Sequence, residues 1–213
     1  MKRITIAAMV TGAVLLSVAC NPAAILALFN CTFRVENTAD FTVAGVQLDD
    51  LGSLSLEQMA QVVAYWAGGD CPVDFTLNIG IRNPNTGSGD TLETTATMVS
   101  LAWDLYLDTD SGDGFDTTWV VSGETLENLQ VPGSGETVIL PLGISFDAFT
   151  ILDGVLDVPQ LVTLMLAIGG VDSGLRDSDH LGRLLLHAEP TFETPLGDIE
   201  YPGGLWVGLD WVD

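Results

Sequence analysis

Cationic side chains are almost missing from this chain. Its 213 residues include 6 Lys+Arg against 29 Asp+Glu, which gives a formal net charge of −23. After Arg3 there is no lysine, and the remaining arginines are scattered: Arg34, Arg82, Arg176 and Arg183. Binding to a phosphate backbone requires a clustered basic surface. The composition therefore excludes nucleic acid as a direct partner and disfavours anionic lipid headgroups.

Charged residues of both signs together make up only 16% of the chain, whereas 47% is hydrophobic. A disordered acidic tail lacks that many apolar residues, so we expect a folded domain. An acidic surface without lysine is also typical of halophilic proteins, in which the charge keeps the protein hydrated and salt screens the repulsion. The acidity can thus reflect habitat.

The apolar run at the N-terminus, Ile4 to Leu16, is shorter than the ~20 residues that a membrane-spanning helix needs. It follows the basic pair Lys2-Arg3 and precedes the small residues Ser17–Ala19. This order is typical of an export signal. We expect residues 1–19 to be a signal peptide.

The segment Leu16–Cys20 resembles the lipobox of bacterial lipoproteins, with Ser17 where leucine is usual. The resemblance implies that Cys20 is acylated, that residues 20–28 form a lipidated tether, and that the protein reaches the cell envelope. Asn21 favours the outer membrane, facing the periplasm or the cell surface. Several acyl chains, at about 0.8 kcal/mol per buried methylene, give a stable anchor. An ordinary secretory signal is the alternative.

Cysteine is scarce, with three in the chain. If Cys20 carries lipid, Cys31 and Cys71 remain as a pair in an oxidising compartment. A disulfide between them would contribute on the order of 4 kcal/mol in the chain-entropy model. The alternative is two buried thiols that act as small apolar residues. Neither belongs to a CxxC motif, so a metal site there is less favoured.

Alternating apolar and polar residues predict many short strands. The segments with this period are Phe29–Asn37, Thr42–Leu48, Pro72–Arg82, Leu101–Leu107, Trp119–Val121, Val138–Phe146, Gly182–Phe192 and Asp198–Leu209. Gly- and Asp-rich turns separate them. This pattern indicates a mainly β fold, an antiparallel β-sandwich, in a single domain over residues 29–213.

Two segments have helical spacing. Ser55 and Gln58 form a capping box, followed by a helix that Gly68-Gly69 ends. Its predicted packing face consists of Leu56, Met59, Ala60, Val63, Trp66 and Ala67. A second helix is predicted from Pro159 to Ile168. We therefore expect one or two helices packed on the sandwich.

The run Phe75–Asn85 ends in Asn83-Pro84-Asn85. Pro84 forces Asn83 out of the helical region, and asparagine side chains can satisfy backbone amides where a strand turns. The strand Trp103–Leu107, the Val121-Ser122-Gly123 step and the Val131–Thr137 turn follow in order. With them, the run resembles the type-2 late embryogenesis abundant family, also called the water-stress and hypersensitive-response domain.

The resemblance covers about residues 29–146 and leaves residues 147–213 as a C-terminal extension. It implies an immunoglobulin-like sandwich, no catalytic residues and a loosely defined role in stress tolerance. The helix at Leu56–Ala67 departs from the family pattern.

The residues give little support to catalysis. His180 and His187 are the two histidines, and a lone histidine on a strand is usually structural. Gly143–Asp147 reads GxSxD and lacks the final glycine of a nucleophile elbow. There is no phosphate-binding glycine loop and no histidine-carboxylate cluster. We expect a protein that is not an enzyme and has no cofactor, unless it binds calcium.

Four carboxylates lie close together in the chain: Asp108, Asp110, Asp113 and Asp116. Oxygen ligands on a glycine-containing loop suit Ca²⁺. Asp113 is one position late for a DxDxDG loop, and Trp119 stands where the twelfth-position glutamate would be. The alternative is a solvated hairpin turn. The acidic segment Asp172–Asp179 is a weaker candidate.

A binding module is a further hypothesis. Trp206 and Trp211 could be surface anchors for a protein partner. The favoured alternative packs Trp206 in a closing strand with Leu205 and Val207. An apolar ligand could also bind between the sheet and the helix at Leu161–Ile168.

The calcium hypothesis predicts a thermal shift. For residues 21–213 at matched high salt, Ca²⁺ at 100 times its Kd should stabilise the folded state by ~2.7 kcal/mol relative to chelator. The melting temperature would then rise by roughly 5 to 10 °C. The shift should disappear in Asp110→Asn, and no shift in the unsubstituted protein would leave a calcium-independent scaffold.

Overall fold

The computed structural model describes residues 30–48, 55–87, 93–108, 117–151, 184–194 and 197–208. Within these ranges the strands are β1 (Thr32–Val43), β2 (Val46–Gln47), β3 (Pro72–Arg82), β4 (Ala96–Asp108), β5 (Thr117–Thr125), β6 (Leu129–Val131), β7 (Thr137–Asp147), β8 (Leu184–Phe192), β9 (Ile199–Glu200) and β10 (Leu205–Val207). The helices are α1 (Leu56–Gly68) and α2 (Ala148–Ile151).

The strands form two antiparallel sheets. Sheet A has the order β2-β1-β3-β7, and sheet B has the order β10-β8-β4-β5, with β6 paired to β4 and β9 paired to β8. The buried faces of both sheets contribute to one hydrophobic cluster. The predicted mainly β sandwich is therefore confirmed, whereas its immunoglobulin-like character stays a prediction.

The predicted alternation places the core correctly on the central strands. The fully or almost fully buried side chains of β1, β3, β4 and β7 include Phe33, Phe75, Leu77, Ile79, Ile81, Leu101, Leu105, Leu140, Leu142 and Ile144. On β4, the buried indole of Trp103 lies against Gly123 of β5, where a Cβ atom would be 2.2 Å from Trp103 Cζ2. Gly123 thus provides the space that a large core side chain occupies.

The two sheets also meet at their edges. The Val35 N–H of β1 donates to the Gly208 carbonyl just after β10, with an N–O distance of 2.6 Å. This bond joins a strand of sheet A to the edge of sheet B.

The predicted second strand at Thr42–Leu48 is wrong in its boundaries. Thr42 and Val43 belong to β1, and β2 is only Val46–Gln47. The pairing of β1 with β3 shifts between Ala39 and Thr42, and Asp40 has a φ of 53°. The strand continues through this bulge, and the side chains that follow it point toward the core again.

Helix α1 confirms the predicted capping box. Gln58 N–H donates to Ser55 Oγ at 3.2 Å, and Ser55 N–H donates to Gln58 Oε1 at 2.8 Å. Gly69 ends the helix with a φ of 78°, a left-handed conformation that glycine adopts without strain.

The predicted packing face of α1 is mostly wrong. Val62 and Trp66 are its buried side chains, while five of the six predicted residues are exposed: Leu56, Met59, Ala60, Val63 and Ala67. The helix is held from one side: Gln61 Nε2 donates to the Ala44 carbonyl at 2.8 Å, and Trp66 contacts Phe149 edge to face. The helix therefore packs on the sandwich through a narrow line of side chains, and not through the broad apolar face that the helical period predicted.

Asp147 connects the end of β7 to the start of β3 and caps α2. Its Oδ1 accepts from Cys71 N–H at 2.8 Å and from Phe149 N–H at 3.0 Å, and its Oδ2 accepts from Thr150 Oγ1. Partial burial raises the pKa of this carboxyl, but the hydrogen bonds from Thr150, Cys71 and Phe149 outweigh it and leave the pKa lowered. The stability that Asp147 contributes is therefore fully present above the pKa that this carboxyl has in the unfolded chain. It is lost as the pH falls through the lower pKa that the carboxyl has in the folded protein.

The disulfide considered between Cys31 and Cys71 is wrong for this fold. Cys31 precedes Thr32, which pairs with Arg82 at one end of β3, whereas Cys71 precedes Pro72 at the other end. The two cysteines are thus separated by most of the length of β3, on the order of 30 Å. A disulfide needs Cα atoms within about 7 Å. Both residues are buried free thiols.

Several predictions fall outside the described residues. These are the signal peptide and Cys20, the helix at Pro159–Ile168, the acidic segment Asp172–Asp179, His180 and Trp211. Among the residues that are described, no helix is both long and apolar enough to span a bilayer.

The two buried thiols should be unreactive in the folded protein. Burial raises the pKa of Cys31 to about 12, and burial together with the nearby Asp147 and Asp70 carboxylates raises that of Cys71 to about 11. At about pH 8 almost no thiolate is present to attack a disulfide reagent. For a protein of residues 21–213, we expect negligible reaction with the disulfide reagent while the protein is folded, and reaction of two thiols in denaturant. The absorbance of the reagent follows the reaction. Rapid reaction of either thiol in the folded protein would contradict this burial.

Candidate functional site

The strands on either side of the predicted calcium loop pair with each other. Asp108 is the last residue of β4 and pairs with Thr117, the first residue of β5. Asp110, Asp113 and Asp116 are outside the described residues, so the metal hypothesis stays a prediction. In the parts of the chain that are described, no group of three or more His, Cys, Asp or Glu side chains is placed to hold a metal ion.

The Asn83-Pro84-Asn85 motif lies buried at the end of β3. Both asparagine side chains are inaccessible to solvent or nearly so. Asn83 Nδ2 donates to the Thr94 carbonyl at 2.7 Å and to the Val131 carbonyl of β6 at 3.0 Å. The Asn83 side chain therefore joins the end of β3 in sheet A to β6 of sheet B and to the segment just before β4.

The acceptor side of the Asn83 amide is also used. Its Oδ1 accepts from Asn85 N–H at 3.1 Å and from Asn85 Nδ2 at 2.7 Å. These four bonds use the full capacity of one primary amide. We call the group formed by Asn83, Asn85, Thr94 and Val131 the asparagine junction.

The turn before β7 closes the junction. Gly135 N–H donates to the Asn83 carbonyl at 3.2 Å, and a Cβ atom at Gly133 would be 2.3 Å from the Asn85 carbonyl oxygen. Only glycine fits at position 133. The predicted role of the asparagines, satisfying backbone groups at a turn, is therefore observed, but their partners in β6 and before β4 were not predictable from the motif.

The outward-facing side of sheet B carries the exposed aromatic residues. The register places its members in three rows across the strands: Trp206, His187, Asp104 and Ser122 in the first; Leu185, Tyr106 and Trp119 in the second; Glu189, Ala102 and Glu124 in the third. We call this surface the outer face of sheet B.

Trp206 lies across β8 on this face. Its ring centroid is 4.9 Å from that of His187 and 5.2 Å from that of Tyr106. A Cβ atom at Gly204 would be 2.5 Å from His187 Nε2, so the absence of a side chain there makes room for the imidazole. His187 Nδ1 is also 4.0 Å from Glu189 Oε1. Even so, 53% of Trp206 is exposed.

A hydrogen-bonded chain orders the other side of the face. Trp119 Nε1 donates to Ser122 Oγ at 3.3 Å, and Ser122 Oγ donates to Asp104 Oδ1 at 2.6 Å. Trp119 is also 53% exposed. The Asp104 carboxylate is thus held in place between Trp119 and the group around Trp206.

The two sheets differ in the charges on their outer faces. The two described arginines are on sheet A, where Arg34 forms two hydrogen bonds of 2.8 and 2.9 Å with Glu36 and Arg82 approaches Thr137. On the outer face of sheet B, the described residues include Asp104, Glu124 and Glu189 but no lysine or arginine. The outer face of sheet B is therefore acidic and aromatic.

The structure corrects two predictions at this face. The three residues do form a strand, and Leu205 and Val207 are buried as expected, but Trp206 between them points outward. The favoured packing of Trp206 together with Leu205 and Val207 is therefore wrong. Trp119 and Val121 were predicted on one face, but Val121 packs toward the core while Trp119 is exposed. An irregularity between β4 and β5 at Val120, which is itself buried, reverses the alternation.

No family model, no curated protein and no solved structure matches this chain.

The asparagine junction predicts a large effect for one substitution. Asn83→Ala would leave the Val131 carbonyl of a buried residue and the Thr94 carbonyl of a half-buried one without this donor, at about 1–3 kcal/mol for each fully buried group. We expect the free energy of unfolding to fall by roughly 2–4 kcal/mol in urea denaturation.

The matched control is Asn78→Ala. Asn78 donates to Asn37 on the outer face of sheet A at 2.7 Å, where water can replace the lost bond. Its effect should stay within about 0.5 kcal/mol. Similar losses for the two variants would contradict a special role of the buried junction.

Proposed function

We propose that this protein is an exported, lipid-anchored envelope protein that acts without catalysis, as a module that binds a partner. The observation that carries the proposal is the outer face of sheet B. Two tryptophans, Trp119 and Trp206, stand about half exposed on a regular sheet whose other side is a packed core. Contiguous exposed apolar area rimmed by polar groups is typical of interaction sites.

The support for binding is the ordering of these side chains. Trp206 is held against His187 and Tyr106, and Trp119 is held by Ser122. Ordered aromatic side chains lose little conformational entropy when a partner binds, and they are enriched among the residues that dominate binding energy. A rigid sheet therefore presents anchors that are already in place.

We further propose that the domain is of the type-2 late embryogenesis abundant kind, with a structural or stress-protective role served by partner binding. The asparagine junction supports this, because the Asn83-Pro84-Asn85 motif on which the resemblance rests closes a strand and cross-links the two sheets. In this proposal the motif maintains the scaffold and the outer face of sheet B makes the contacts.

The anchoring proposal rests on Cys20 and is tested by phase separation in a detergent that forms a second phase on warming. The full chain, produced in a bacterium that processes lipoproteins, should enter the detergent phase and incorporate labelled palmitate. Cys20→Ala should remain in the aqueous phase without label, because several acyl chains provide the membrane affinity.

The control is Cys71→Ala, which removes a buried thiol elsewhere in the chain. It should partition like the unsubstituted protein. Retention of Cys20→Ala in the detergent phase would overturn the lipid anchor.

A further inference from the structure

The outer face of sheet B combines exposed aromatic rings with carboxylates and, among its described residues, has no lysine or arginine. We propose that this face binds a basic segment of a protein partner through the partner's arginine and lysine side chains. The inference rests on the proposed function as a binding module and specifies the chemistry of the partner.

The charges favour a cationic partner. Asp104 lies in the first row of the face. Glu189 and Glu124 lie in the third row, which is directly beside the first, on the strands that flank β4. Both described arginines, Arg34 and Arg82, are on the other sheet. A cationic segment would therefore meet carboxylates without competing lysine or arginine among the described residues of this face, and the chain's net charge of −23 would attract it over longer distances.

The rings favour the same partner. Trp206, Tyr106 and Trp119 extend across four adjacent strands, β10, β8, β4 and β5. Three interstrand spacings correspond to about 14 Å, which an extended peptide of roughly four residues can cover. The faces of tryptophan and tyrosine rings attract ammonium and guanidinium groups, and arginine also stacks on them. Aromatic rings beside carboxylates thus offer two kinds of attraction to one cationic side chain.

Hydrogen bonds within the sheet already order the Asp104 carboxylate for this contact. Ser122 Oγ donates to its Oδ1, and the hydroxyl is in turn fixed by Trp119 Nε1. The carboxylate therefore does not need to be ordered when the partner binds, which lowers the entropic cost of association.

Charge also argues against other occupants. A second copy of the chain would bring the same carboxylates against these, and anionic lipids or nucleic acids would be repelled in the same way. The surface is a sheet face, unlike the enclosed cavities that bind most small molecules. A basic polypeptide is the occupant that satisfies both the rings and the carboxylates.

The test measures binding of a fluorescent peptide of alternating arginine and serine to the full chain, purified in a non-ionic detergent at low salt, by anisotropy. We expect saturable binding that weakens as salt is added, and no binding of the matching glutamate-serine peptide. Trp206→Leu and Asp104→Asn should each weaken binding about threefold to fivefold, and together roughly tenfold or more.

The matched control is Asp74→Asn, which removes one exposed carboxylate from the outer face of sheet A and leaves sheet B unchanged. Melting curves of all variants verify that they are folded. The double variant is also made with Trp119→Leu in place of Trp206→Leu, so that the test does not depend on β10 alone.

Equal binding of the two peptides, or equal weakening by Asp74→Asn and Asp104→Asn, would overturn the proposal. Binding of a neutral oligosaccharide that Trp206→Leu abolishes, without peptide binding, would overturn it in favour of a glycan. Dimerisation lost in Trp206→Leu, seen by sedimentation, would overturn it in favour of a second copy. None of these results depends on Cys20, so the lipid anchor and the partner chemistry fail or succeed separately.

Discussion

The Asn83 side chain is the contact on which the arrangement of the two sheets most depends. Its amide donates to the carbonyls of Thr94 and Val131 and accepts two bonds from Asn85, and both asparagines are buried. Since β3 pairs with both β1 and β7, and β6 pairs with β4, this one amide ties the centre of sheet A to the strand at the centre of sheet B. The position of the outer face of sheet B relative to the rest of the chain follows from that tie.

The sequence predicted those elements in which local pattern and tertiary environment agree. Strands β3 and β7 alternate strictly, and the residues predicted to point inward are buried or half-buried. The capping box of α1 is a local interaction between Ser55 and Gln58, so it could be predicted from spacing alone. Of the two buried residues of α1, Trp66 was predicted and Val62 was not. The orientation of the helix depends on contacts with distant segments, such as that of Trp66 with Phe149, which the helical period does not contain.

The candidate site was only partly predictable, and for a physical reason. Trp206 was recognised as a candidate anchor, but its direction depends on which face of β10 meets the core. Trp119 was predicted on the same face as Val121, because a bulge at Val120 cannot be seen in an alternating pattern. The cooperation of Asp104 with Ser122 and Trp119 is a cross-strand arrangement that requires the register of β4 and β5. The asparagine motif was visible, whereas its partners at Thr94 and Val131 lie 11 and 48 residues away.

The bond from Val35 N–H to the Gly208 carbonyl has a consequence for assembly. In the part of the chain that the structure describes, β1 lies at the edge of sheet A beyond its short pairing with β2. An open strand edge is a template for adding a strand from another molecule. By occupying the Val35 amide, the segment after β10 blocks part of that template. A chain that loses this segment would expose the edge of β1 and could polymerise through it. The negative charge of the chain would oppose polymerisation in dilute buffer. Concentrated salt would screen this repulsion, so that the charge would no longer prevent polymerisation.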